Sequence, residues 1–131
     1  PDINGAVLTG IATARIAESL GPWLKQLTGD PDQISWGYVQ AAAMARSDPA
    51  LRAAQADFAE AVFPDGVQAF DMSAALHRLD CPTRIIWGKR DKIIPWRHAL
   101  TAPGQVSLNL FDGIGHLPHV EMPQQLADLL A

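Results

Sequence analysis

The sequence predicts an α/β chain with two textures, a helical first part and a strand-helix-strand-helix unit after it. Three observations carry this reading. Pro and Gly punctuate residues 1–78, which contain almost no β-branched runs. Two short β-prone runs follow, Thr83–Trp87 and Val106–Phe111. The 18 residues between them, 88–105, include Pro95 and are too long for a hairpin but long enough for a helical crossover, so the strands are expected to run parallel.

Residues 3–20 place Leu8, Ile11, Ala12, Ile16 and Leu20 near helical spacing, and Gly21-Pro22 reads as a terminal glycine followed by a breaker. A short helical turn around Trp23, Leu24 and Leu27 ends at Gly29. Asp30-Pro31-Asp32-Gln33 then offers an N-cap, a proline at the first helical position and a capping-box glutamine, opening a helix with Ile34, Tyr38, Ala41, Ala42 and Ala45 on one face. Ser47-Asp48-Pro49 restarts the pattern, and Leu51, Ala54, Phe58, Ala61 and Val62 form an amphipathic stripe up to Pro64-Asp65-Gly66. A last helix of this part is expected near Asp71 to Leu79. Trp23, Trp36, Tyr38, Met44 and Phe58 could line a substrate pocket, but are read as helical core, the default for such residues.

The texture changes at Cys81-Pro82. Ile85, Ile86 and Trp87 are adjacent and so face both ways, as in a strand inside a parallel sheet. Val106, Leu108 and Leu110 alternate with Ser107 and Asn109, which suits an edge strand, and Pro123 opens a final helix with Leu126, Leu129 and Leu130. Parallel sheets need several covered strands, so two strands imply that most of a sheet lies outside this sequence.

Composition narrows the classes. The 131 residues are 48% hydrophobic and 18% charged, which supports one core and leaves no room for several domains. The formal net charge is −4, with the basic residues scattered apart from Arg84 and the group Lys89, Arg90 and Lys92, which argues against nucleic acid as a partner. Cys81 is the single cysteine and cannot form an internal disulfide; it is read as a small buried residue. His116 and His119 flank Pro118 with no cysteine or acidic cluster at metal-site spacing, so no metal is expected. No run approaches the roughly 20 apolar residues of a membrane span, and the N-terminus lacks the order of a signal peptide, which leads to the expectation of a cytoplasmic protein with no membrane partner. A start at Pro1 and an end at Leu129-Leu130-Ala131, inside a helical pattern, suggest a piece of a longer protein.

Chemistry concentrates in two loops, each directly after a predicted strand: Gly88 to Pro95 and Gly113 to Pro123. Open α/β sheets place reacting groups there. An Asp after one strand and a His after the next can meet above the sheet end, where the carboxylate accepts a hydrogen bond from one ring nitrogen and leaves the other to act as base. Asp91 and His116 are the candidate catalytic residues. Taken singly, Asp91 reads as a turn carboxylate and His116 as a loop histidine; the joint pattern reverses both. His77, His98 and His119 are read as structural or solvent-facing, and Glu121 as bound to backbone near the start of the last helix.

The patterns G-x-x-D-x-x-x-P and G-x-G-H-x-x-x-x-E-x-P, met at Gly88, Asp91, Pro95, Gly113, Gly115, His116, Glu121 and Pro123, resemble the C-terminal part of the α/β-hydrolase family. The resemblance implies a fragment of the α/β-hydrolase fold, with residues 1–78 as a helical cap segment and 79–131 as the last two strands of the core with their helices. The wording around Cys81-Pro82, Trp87-Gly88, Ile93 to Ala99 and Gly115 to Glu121 looks most like the hydrolase-fold domain of the dihydrolipoamide acetyltransferase component of acetoin dehydrogenase. That likeness implies lipoyl-lysine and coenzyme A as acyl carriers of a parent protein, with no cofactor held by this chain and a small acyl or ester substrate.

One departure is decisive for the chain by itself. The family's nucleophile elbow, G-x-S-x-G or a Cys or Asp variant after a strand, is not met at Ser19, Ser35, Ser47, Ser73 or Ser107, and Cys81 precedes a strand. Nor does His stand four residues before the Asp of Asp65-Gly66 or Asp112-Gly113, as the usual lipoyl acyltransferase pattern requires. The chain alone is therefore expected to be inactive, with the nucleophile supplied by the missing N-terminal half of the domain. An ester or carbon-carbon bond hydrolase of the same fold, or a non-catalytic assembly module, is the alternative. Two open strand edges also predict a homo-oligomer.

Overall fold

The computed structural model describes residues 4–131, apart from the side chains of Val7 and Leu8. The helical half is organised by Leu20 and Leu24, which lie one turn apart and are 0% and 5% exposed. With Ala14, Ile34 and Val39 they form a buried cluster, against which Ile11, Ala17, Trp23, Leu27, Ala42 and Ala43 pack. Helix α1 (Gly5–Thr13), α2 (Ala17–Leu24) and α3 (Trp36–Ala45) contribute most of these residues, and Ala14, Leu27 and Ile34 come from the segments between them.

The single helix expected over residues 3–20 is two helices. The chain breaks between α1 and α2, where Ile16 is extended (φ −120°, ψ 158°) and caps α2 without a side-chain bond. The expected start at Ile3 lies outside the described residues. Gly21-Pro22 does not stop the chain either, since α2 runs through Pro22 to Leu24. Proline removes one amide donor from the ladder, and burial of Leu20, Gly21 and Leu24 on the same helix outweighs it.

Asp30 caps a short 3₁₀ turn, Pro31–Gln33, instead of opening α3. Ser35 opens α3, its hydroxyl accepting from the Tyr38 amide at 3.1 Å. Ile34 therefore precedes the helix, and Val39 is the buried residue of α3. Asp48 and Pro49 start α4 (Pro49–Val62) as the sequence indicates, the Asp48 carboxylate accepting from the Ala50 amide at 2.8 Å. Its apolar stripe is not core, however: Leu51 is 44% and Phe58 65% exposed. Trp36, Tyr38 and Met44 are exposed too, while Trp23 does pack on the core. The described helices offer these five exposed residues no second layer to pack against. Helix α5 (Ser73–His77) closes this half.

Strands β1 (Thr83–Gly88) and β2 (Val106–Phe111) pair in parallel from Thr83↔Val106 to Gly88↔Phe111 and are the two strands of the sheet among the described residues. A 3₁₀ helix, Trp96–Thr101, lies on the crossover. A short turn α6 (Pro118–Glu121) and α7 (Pro123–Leu130), each opened by a proline, follow β2. Ile93, Ala99, Val106 and Met122 are buried around this unit. Cys81 is exposed and not buried as expected, because it sits in the bend before β1, outside the strand pairing.

Leu20→Ala should lower the unfolding free energy by about 3 kcal/mol, since the cavity opens at a fully buried site. Phe58→Ala should stay within about 0.5 kcal/mol. Urea denaturation of the two variants measures both, and equal losses would contradict this placement of the core.

Candidate active site

Register places the two loops together. Gly88 and Phe111 face each other at the ends of β1 and β2, with Asp91 three residues past the first and His116 five past the second. The loops are then tied by backbone bonds: the Lys89 amide donates to Phe111 at 2.9 Å and the Arg90 amide to Ile114 at 2.8 Å. A Lys89–Asp112 ion pair of 3.0 Å adds a side-chain tie at the surface.

Asp91 is the buried partner, its side chain 2% exposed. All four acceptor positions of its carboxylate are used. Oδ1 accepts from the amides of Ile93 (2.8 Å) and Ile94 (3.0 Å), and Oδ2 accepts from His116 Nδ1 (2.9 Å) and the Trp87 indole Nε1 (2.9 Å). Burial pushes the Asp91 carboxyl up; the His116 bond, the Ile94 and Ile93 amides and the charge of His116 outweigh it and hold the group below its usual value. Asp91 is therefore a carboxylate at neutral pH and accepts only. It follows that Nδ1 of His116 is the donor in this bond, which leaves Nε2 as the ring nitrogen available to exchange a proton.

His116 is 32% exposed and lines an open hollow of about 360 Å³ with Ile86, Trp87, Ile94, Pro118 and His119. Its loop is held from the helical half. The Glu121 carboxylate accepts from the Gly115 amide with Oε1 and from the Gly29 amide with Oε2, both at 2.8 Å. The His116 amide donates to Leu27 at 2.7 Å. A Cβ at Gly115 would overlap the backbone of Thr28 and Gly29, so this approach requires glycine. Glu121 thus binds local backbone, as expected, and also bonds Gly29, a distant segment.

The structure brings Asp91 and His116 into direct contact and leaves the other candidates outside that contact. His77 and His119 are exposed, and Ser35 is a helix cap. Sequence reasoning missed Trp87 as a partner of Asp91, although its place four residues earlier across a glycine turn was a usable signal. It also missed the Leu27–Gly29 segment, for which no local signal exists. Among the described residues there is no group of three or more His, Cys, Asp or Glu that could hold a metal ion, and no helix long and apolar enough to cross a membrane.

A family model described as the alpha/beta hydrolase family matches residues 2–129. The chain belongs to the alpha/beta hydrolase family. Across 124 residues, 95% of this chain and 33% of the relative, it is 26% identical to the dihydrolipoyllysine-residue acetyltransferase component of the acetoin cleaving system of Pseudomonas putida. Over 53 residues, 37% of this chain and 15% of the relative, it is 40% identical to an uncharacterized protein of Mycobacterium tuberculosis. Solved structures with the same fold include a meta-cleavage product hydrolase from Pseudomonas fluorescens, with a TM-score of 0.80 at 16% identity over 99% of this chain and 49% of that one. Another is 2-hydroxy-6-oxo-6-phenylhexa-2,4-dienoate hydrolase from Rhodococcus sp., with a TM-score of 0.73 at 20% identity over 95% and 46%. This member of the alpha/beta hydrolase family thus spans about half the length of those hydrolases and a third of the acetyltransferase component.

Two measurements check the site. Glu121→Gln leaves an amide NH₂ facing one of two buried backbone donors and should cost about 2 kcal/mol in urea denaturation. Because the folded state holds the Asp91 carboxyl below its unfolded value of about 3.9, its contribution to stability is complete above that pH and is lost as pH falls through the lower folded value. Asp91→Asn should therefore flatten the fall in the urea midpoint below about pH 4. An unchanged slope would contradict the assignment.

Proposed function

We propose that the chain supplies the Asp and the His of a nucleophile-His-Asp triad whose nucleophile comes from a segment outside these 131 residues. The observation that carries this is the buried Asp91 carboxylate accepting from His116 Nδ1 at 2.9 Å. Nε2 of His116 takes the proton of a hydroxyl or thiol as it attacks an acyl carbonyl, then returns it to the leaving group. Asp91 stabilises the imidazolium formed between those steps and keeps the ring in the productive tautomer. In this reading residues 1–78 form a helical cap and residues 79–131 the end of the hydrolase core. The remaining strands pair along the free edge of β1.

Acyl transfer is the reaction we favour, with lipoyl-lysine and coenzyme A as acyl-carrying substrates. It is supported by the match, along nearly the whole chain, to the Pseudomonas putida acetyltransferase component. Hydrolysis, with water taking the acyl group, is the second reading, supported by the hydrolases among the proteins of the same fold.

The test uses the full-length protein. His116→Ala should lower kcat for p-nitrophenyl acetate by about 1,000-fold, the usual scale for a lost general base. Activity near normal in that variant would overturn the proposal. With acetyl-coenzyme A and dihydrolipoamide, appearance of acetyl-dihydrolipoamide supports transfer, and release of acetate alone supports hydrolysis.

A further inference from the structure

Trp87 takes no part in the triad as drawn above, yet its indole is bonded to the same oxygen that His116 uses. Oδ2 of Asp91 accepts from Trp87 Nε1 and from His116 Nδ1, both at 2.9 Å, while Oδ1 is held by two amides. Trp87 is the last residue before Gly88, at the end of β1, and lines the hollow beside His116. Apart from the histidine itself, it is the side chain bonded to this carboxylate among the described residues.

We infer that Trp87 is a positioning residue for the Asp91–His116 pair. The amides of Ile93 and Ile94 fix where Oδ1 sits, and the indole fixes the turn of the carboxylate plane so that Oδ2 faces the imidazole. The indole N–H also donates to the charged form of Asp91 and so favours ionisation. It shares Oδ2 with His116 and so holds the carboxylate in place while the imidazolium forms and decays. Phenylalanine would keep an aromatic ring at this place and remove this one bond.

Other charges around the pair are accounted for. On the β1 loop, Lys89 is paired with Asp112, and Arg90 and Lys92 are exposed; on the crossover helix packed against β1, Arg97 is exposed over the Trp96 ring and His98 is half-buried. On the His116 loop, Glu121 is bonded to the Gly29 and Gly115 amides, and His119 lines the same hollow. From the helical half, Lys25 and Asp30 flank the Leu27–Gly29 segment and are exposed. His119 is therefore the group to control for.

This inference rests on the triad reading, and its test separates the two. In the unmutated full-length protein, the indole N–H resonance of Trp87 should move with protonation of the Asp91 carboxyl, followed by ¹³C and ¹⁵N NMR. In Trp87→Phe the Asp91 midpoint should move to higher pH, because a donor to the charged form is gone, while His119→Gln should leave it in place. The low-field Nδ1–H signal of His116 should weaken or shift in Trp87→Phe. In the same variant kcat should fall about tenfold with KM unchanged, the rate equivalent of one charge-assisted hydrogen bond. An indole resonance that ignores the Asp91 titration overturns the inference without any mutation, and so does a Trp87→Phe variant, folded by circular dichroism, with an unmoved Asp91 midpoint. Activity that survives His116→Ala overturns the triad reading, whatever Trp87 does.

Discussion

A buried negative charge has to be surrounded by donors, and the carboxylate of Asp91 imposes that requirement on everything around it. Four N–H groups meet it: two from the backbone directly after it, one from the strand before it and one from the loop after the neighbouring strand. No one of these segments could supply all four. The turn after Gly88 folds Ile93 and Ile94 back onto Oδ1, and parallel pairing of β1 with β2 brings His116 to Oδ2. The sheet end, the two glycine loops and the histidine tautomer thus follow from satisfying one anion.

A second carboxylate does comparable work one step further out. Glu121 bonds the amides of Gly115 and Gly29, so the loop that carries His116 is fixed to the helical half as well as to the sheet. The backbones approach closely enough that glycine is required at position 115, and the His116 amide completes the junction by donating to Leu27. The buried cluster of the helical half sets where Leu27 lies, because Leu27 packs on Leu20, Leu24 and their neighbours. Core packing is coupled in this way to the position of the imidazole.

The same contacts explain why parts of the chain were legible in the sequence and others were not. Asp91 and His116 could be picked out because each follows a short β-prone run and a glycine turn, and the parallel relation of the runs followed from the length of the crossover. The strand bounds and the prolines that open α4 and α7 are local features as well, and the structure has them where the sequence indicates. The break at Ile16, the passage of α2 through Pro22 and the start of α3 at Trp36 were not legible. Each depends on which apolar residues find a partner, and helical spacing alone does not distinguish Val39, which is buried, from Tyr38, which is not.

By itself the sequence determined the α/β class, the parallel strand pair and the two residues that meet at its end. These rest on short-range rules of turn chemistry, strand alternation and chain reach. Tertiary structure decided which apolar residues are core, leaving Tyr38, Leu51 and Phe58 exposed on helices whose periodicity suggested burial. It also decided that the indole of Trp87 shares an oxygen with His116 and that Glu121 reaches Gly29, 92 residues away in the chain. Such bonds depend on where two remote backbones come to lie, and that is fixed only when the sheet and the helical core have both formed.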